Sequence, residues 1–222
     1  METNLLLLSS NSPRRRQLLA LGGWSFDLDS SDIDETPLAD ETARDYVRRL
    51  AVAKSRAAQP RAKNGQFIIG ADTAVVIDSD ILGKPVDADQ ARSMLLRLRG
   101  RTHQVFTGLA VLSTSDSSIQ SDVVVTDVPM RNYSMEEIDQ YIQTGDPLDK
   151  AGAYGIQNPD FQPVASMSGC YASVMGLPLC RLGYLMAQVG HPPFASVAQN
   201  CQDTIHYDCT VFQNYLKAVP DS

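Results

Sequence analysis

The segment Phe67 to Ile77 constrains this chain most. It is rich in β-branched and aliphatic residues, as a buried strand requires, yet Gly70-Ala71-Asp72-Thr73 interrupts it. A carboxylate among aliphatics is costly to bury unless it is paired or bound to metal. A fold that accepts this strand must cover its apolar residues and also supply a partner for the charge. Small neighbours leave room for a ligand beside Asp72. The plainer alternative is that Asp72 lies at a strand end and caps a loop. A polar break inside a buried strand often marks a site, which favours the first reading.

The rest of the chain can supply such a fold. It has 222 residues, 43% of them apolar and 20% charged. A domain of this size buries about 70% of its unfolded surface, and disorder is excluded as the default. Leu5 to Leu8 form another short apolar run. Ser12-Pro13 follows as an N-cap and a favoured first helical residue, and the helix through Leu18, Leu19 and Leu21 stops at Gly22-Gly23. Ser25 to Leu28 reads as a strand, residues 40 to 58 as a helix capped by Asp40, and residues 88 to 99 as a helix stopped by Gly100. Val105 to Leu112 and Ile119 to Val128 read as long strands joined by a serine-rich loop. Ser134 to Glu137 is a capping box whose helix ends at Gly145, and a last helix covers Leu179 to Val189. Alternating elements with two long neighbouring strands predict an α/β domain with a mixed β-sheet and flanking helices. Residues 190–222 read as a polar tail with a candidate helix at Thr210 to Ala218.

Several functions are disfavoured at once. The net charge of −7 argues against a surface that grips nucleic acid or anionic lipid. No apolar run approaches the ~18 residues of a membrane span. Met-Glu-Thr-Asn before Leu5 lacks the basic residues of a signal peptide, so a cytoplasmic protein is expected. All four cysteines follow residue 169 without a CxxC pair, which disfavours a disulfide framework.

Five segments could carry chemistry. Ser10-Asn11-Ser12-Pro13-Arg14-Arg15-Arg16 puts arginines in a helix's first turn, against the helix dipole, unless an anion such as a triphosphate binds there. A solvated basic face is the alternative. Asp72 is the second. Asp32-Ile33-Asp34-Glu35 could hold Mg²⁺ or Mn²⁺ or be an acidic surface loop. Leu82-Gly83-Lys84-Pro85 holds a lysine in a stiff turn. Asp149 to Gln157 is a small-residue stretch in which backbone can approach a planar ligand and Gln157 can meet a base edge. Cys201, His206 and Cys209 fit no standard zinc spacing, and His103 reads as a packed or capping residue.

These motifs, in this order, resemble the Maf family of nucleoside triphosphate pyrophosphatases, also described as septum-formation inhibitors. The matching segments are Ser10 to Arg15 with Leu18-Leu19, Asp34-Glu35, Lys54, Gly70 to Thr73, Gly83-Lys84-Pro85, Gly100 with His103 and Thr107-Gly108, Asp149 to Gln157, and Gly176 to Leu179. The resemblance implies a domain over residues 1–189, with 190–222 unassigned. It implies a fold like the inosine triphosphate pyrophosphatases, a bent mixed sheet with two lobes around a nucleotide cleft. It further implies hydrolysis of a triphosphate to monophosphate and pyrophosphate, a divalent metal (Mg²⁺ or Mn²⁺) and a homodimer. Arg14-Arg15, Ala71-Asp72-Thr73 and Tyr154-Gly155-Ile156-Gln157 look like the dTTP/UTP branch. By that match Asp72 is the catalytic proton acceptor, and Glu35 and Asp72 hold the metal. Ser10, Arg14, Arg15, Lys54, Thr73, Lys84 and Gln157 bind substrate, with Arg15, Thr73 and Gln157 selecting it. The family usually has glycine after Gln157, where this chain has Asn158-Pro159. The alternatives are the same chemistry on a 7-methyl-GTP-like purine, or a non-catalytic nucleotide-binding regulator of cell division. Asp72 and Glu35 together count against the regulator, and Gln157 and Thr73 against the purine.

Overall fold

Strand pairing explains why so polar a residue as Asp72 is tolerated in so apolar a strand. The computed structural model describes residues 5–30 and 32–217. Among the described residues the strands form one mixed sheet. β1 (Leu6–Ser9) lies parallel to β2 (Phe26–Asp29) on one side and to the start of β3 (Phe67–Ile77) on the other. β5 (Thr102–Ser113) runs antiparallel to β3 along nearly its whole length, and β6 (Ile119–Pro129) antiparallel to β5. The short β4 (Asp80–Leu82) folds back on the far end of β3 through a turn at Asp78 and Ser79, both at positive φ.

β5 occupies one edge of β3, so β1 and β4 share the other. β1 covers Phe67 to Ile69 and β4 covers Val75 to Ile77. Between them, residues 70 to 74 have no strand neighbour on that edge among the described residues. The interruption in the apolar run therefore coincides with a gap in the sheet. The gap opens beyond the carboxyl end of β1, the position at which ligands enter open α/β sheets.

Successive strand residues point to opposite faces. One face of β3 and β5 is crossed by α2 (Ala43–Ala58) at very short range. A Cβ at Gly70 would stand 2.0 Å from the Ala51 carbonyl oxygen, and one at Gly108 2.2 Å from that of Val47. Only glycine lets the helix backbone lie so close. On the other face are two apolar clusters. Ile69, Ala71, Leu109 and Val111 pack with residues of α1 (Pro13–Ala20), α5 (Tyr171–Val174) and α6 (Leu179–Gln188). Val75, Ile77, Val105 and Val128 pack with α3 (Ala88–Leu98) and α4 (Met135–Gln143). Thr73 falls at the seam between them.

Several expected ends hold: Ser12 caps α1 with Pro13 at its start, and the Ser134–Glu137 capping box is formed. The long second helix begins later than expected. Thr42 is its cap, accepting from the Asp45 amide, while Asp40 sits at φ 57 in the preceding turn. The tail also differs from expectation. α7 (Val197–Ile205) buries Val197, Ala198 and Cys201 in the first cluster, and α8 (Phe212–Tyr215) follows. Of the candidate helix at 210–218, Ala218 lies outside the described residues, as does the Met1 to Asn4 segment. Among the described residues no helix is long and apolar enough to cross a membrane.

Candidate active site

Two polar constellations flank the gap, one on each face of β3. On the α2 face, the Asp72 carboxylate accepts from Lys54 Nζ at 2.6 Å, and the same ammonium reaches Glu35 Oε1 at 2.7 Å. Lys54 is well placed because the Ser9 hydroxyl, at the end of β1, donates to the Lys54 carbonyl at 3.0 Å. Asp72 is buried, and that desolvation pushes its carboxyl above the ordinary range. Lys54 and Arg15 pull it back, and Glu35 pushes it further up. Glu35 is half-exposed and comes from the loop before α2. The Tyr46 hydroxyl donates to its carbonyl at 2.9 Å, and burial pushes that phenol up to about 12, so it stays a donor.

The acidic run Asp32 to Glu35 divides its labour. Asp34 accepts from the Thr36 amide at 2.9 Å and shapes the turn, and only Glu35 meets Lys54. Arg49 braces this loop by a two-pronged pair with Glu41 and a bond to the Thr36 carbonyl.

On the other face, Arg15 in the first turn of α1 reaches across the gap. Its Nε donates to the Gly176 carbonyl at 2.8 Å, Nη2 to Thr73 Oγ1 at 3.2 Å and Nη1 to Ser10 Oγ at 3.4 Å. Gly176 is at φ +106, where a side chain would be strained, and a Cβ would press on Arg15 Nε at 3.1 Å. Burial lowers the pKa of the guanidinium, against which Asp72 and Glu35 act to raise it. Thr107 donates to the Ser173 carbonyl at 2.8 Å, so its oxygen accepts the Thr73 proton across 3.1 Å. The relay Arg15 to Thr73 to Thr107 to Ser173 fixes each proton. The remaining N–H groups of Arg15 have no partner among the described residues and suit anionic oxygen.

The other nominated residues stand apart from these pairs. Arg14 is half-buried without an ion-pair partner among the described residues. Lys84 is exposed on a cleft of about 690 Å³ that also includes Pro37, two residues beyond Glu35. Gln157 is exposed on another cleft, of about 260 Å³, shared with Met167, Tyr171 and Tyr207. Its loop is fixed by a polar knot: Lys150 pairs with Asp146 and Asp149, and Tyr141 bonds Asp146 and the Gly155 amide. The unusual Asn158 belongs to that knot. It donates to Asp146 and accepts from the amides of Asp160 and Phe161. His103 is buried against the Tyr154 hydroxyl at 2.8 Å, and burial pushes it down to about 4. Thr107, Gly108 and Gly176 entered the sequence reading only as matching motifs. Their contacts to Thr73, α2 and Arg15 carry no local signal.

Glu35 and Asp72 already share one cation, the Lys54 ammonium, so their carboxylates converge. That hard-oxygen pair fits Mg²⁺ or Mn²⁺, which are held by one or two carboxylates with phosphate oxygens and water completing the shell. Among the described residues no group of three His, Cys, Asp or Glu side chains forms a closed cage.

The family model described as "Maf-like protein" matches residues 5–189. A dTTP/UTP pyrophosphatase of Symbiobacterium thermophilum is 42% identical over 194 residues, covering 87% of this chain and 98% of that protein. One from Vibrio parahaemolyticus is 44% identical over 183 residues, covering 82% of this chain and 96% of its own. Among solved structures, the Staphylococcus aureus Ham1 protein matches 73% of this chain and 80% of its own at 12% identity, with a TM-score of 0.45.

Proposed function

The chain belongs to the Maf family, and from that premise we propose that it is a nucleoside triphosphate pyrophosphatase acting on dTTP and UTP. The observation that carries the reading is the buried Asp72, paired with Lys54 on one face of β3, beside the Arg15–Thr73 pair on the other. The curated relatives named above support the pyrimidine substrates over a 7-methyl-GTP-like purine.

A triphosphate repels an attacking water because both are electron-rich. The chain answers with cations around the gap: Lys54, Arg15 and, from the neighbouring cleft, Lys84. Asp72 takes a proton from the water as its oxygen bonds to phosphorus. The bond to the departing pyrophosphate breaks, leaving the nucleoside monophosphate. A carboxyl raised by burial is a better base near neutral pH than an ordinary one. Lys54 keeps it ionised enough to act. Arg15, locked by Gly176 and Thr73, presents its free N–H groups to phosphate or base, and Gln157 offers a donor and an acceptor to the pyrimidine edge. Glu35 and Asp72 would hold Mg²⁺ or Mn²⁺, which supplies further positive charge to the phosphates. Free thiols, a nucleotide substrate and net negative charge suit a cytoplasmic enzyme without a nucleic-acid partner. A homodimer is the family expectation, tested by light scattering.

The test is pyrophosphate release from dTTP and UTP with Mg²⁺ or Mn²⁺. Asp72→Asn is expected to keep the circular-dichroism spectrum and lose most turnover, by about a hundredfold or more. Tight binding without product from the unmodified protein would instead favour the non-catalytic regulator.

A further inference from the structure

The family model ends at residue 189, yet the residues after it are built into the domain. α7 buries its apolar side beside Leu179, Cys180 and Leu182. Arg181, itself buried, pairs with Asp122 on β6 and donates to the Lys217 carbonyl at 2.7 Å. At the end of α7, His206 takes φ 52 and turns the chain back toward the body.

That reversal delivers Tyr207. Its hydroxyl lies 2.9 Å from both the Met167 and the Gly169 carbonyl oxygens, and its single proton is shared between them. Burial pushes the phenol up to about 12, so it remains a donor at working pH. Thr210 adds a bond from its hydroxyl to the Ser168 carbonyl at 2.8 Å. Three consecutive carbonyls, 167 to 169, are thus held by the extension. The bonds are side chain to backbone, so they fix the course of this segment whatever its side chains.

The segment leads straight into α5, whose two ends face different parts of the site. At its start, Tyr171 packs on the Tyr207 ring with centroids 5.4 Å apart and donates to the Ile156 carbonyl at 3.2 Å. Tyr171 and Tyr207 line the same cleft as Gln157. At its far end, the Ser173 and Gly176 carbonyls receive Thr107 and Arg15.

We infer that Tyr207, in the extension, is a positioning residue for substrate selection. It holds the wall of the Gln157 cleft and, through residues 167 to 176, the carbonyls on which Arg15 and Thr107 are aligned. The inference rests on the reading of Arg15, Thr73 and Gln157 as substrate contacts. Residues outside the common domain thereby tune a site inside it.

The experiment compares Tyr207→Phe, which keeps the ring and removes the donor, with the unmodified full chain. Pyrophosphate release is measured on dTTP, UTP, dCTP and dGTP. Losing one hydrogen bond at a positioned wall is expected to raise KM for dTTP and UTP about three- to tenfold with kcat little changed. The preference for dTTP over dCTP is expected to narrow. Thr210→Val, which removes the neighbouring tether, is expected to move the same ratio in the same direction by less. A purely structural role predicts a lower melting temperature with the KM values and substrate ratios unchanged. That result in Tyr207→Phe overturns the inference while leaving the proposed function intact. An unmodified protein that hydrolyses none of the four overturns both.

Discussion

Replacing Lys54 by methionine tests the electrostatics of the site most directly. The ammonium lies within 2.7 Å of a carboxylate oxygen from Asp72 and one from Glu35, and both it and Asp72 are shielded from water. Two unit charges about 4 Å apart interact by about 4 kcal/mol at an effective dielectric of ~20. Glu35 is half-exposed, so its share is screened, and the Asp72 pair dominates. Losing about 3 kcal/mol of support for the ionised form lowers the ratio of carboxylate to acid at Asp72 about a hundredfold at a given pH. The remaining Glu35 charge acts in the same direction. Catalysis needs the ionised form, so activity is present above the folded pKa of Asp72 and lost as pH falls through it. Burial raises the Asp72 carboxyl and a bound divalent ion would pull it down, so the acid limb of kcat/KM for dTTP is compared between unmodified protein and variant at one metal concentration. In Lys54→Met that limb should move to higher pH by about two units, so that activity returns in alkaline buffer. An unmoved limb in Lys54→Met, with activity uniformly lower, would refute the pairing as the control on Asp72. Lys54 would then act on phosphate alone.

Two further outcomes follow from other pairs. Arg15→Lys keeps the charge but cannot satisfy Gly176, Thr73 and Ser10 together from one ammonium. KM for dTTP should rise about tenfold or more, measured by pyrophosphate release, while unfolding in urea changes by at most about 1–2 kcal/mol. His103 is buried neutral with its pKa down to about 4, whereas the unfolded chain protonates near 6.5. Between those values the unfolded state binds the extra proton. The stability from His103 is therefore complete above about pH 6.5 and declines as pH falls toward 4, by about 3 kcal/mol in all. Urea titrations across that window should show the loss, and His103→Gln should flatten it.

Much of the fold was legible because its signals are local. The Ser12-Pro13 helix start, the Ser134–Glu137 capping box, the stop at Gly100 and the long antiparallel pair are each set by neighbours in sequence. Thr42 displaced Asp40 as the cap of the second helix for an equally local reason, its reciprocal bonding with Asp45, which composition alone does not rank. α7 carries a weak sequence signal because its apolar side is narrow, with Val197, Ala198, Cys201 and Ile205 on an otherwise polar segment. Packing against α6 and the bond from Asn200 to the Leu21 carbonyl hold it in place.

The site divides in the same way. From the residues alone came the carboxylate in an apolar strand, the arginines in a helix's first turn and the order of motifs that marks the family. The tertiary structure decided which groups meet. Asp72 and Thr73 are adjacent in sequence but face opposite sides of β3, so one pairs with Lys54 and the other with Arg15. Arg15 is aligned by Gly176, 161 residues away, and Asp34 turns to its own loop while Glu35 reaches the ammonium. Local propensity acts over a few residues. Charge pairing and burial act through space, and the cost of a charge depends on what surrounds it after the chain has closed.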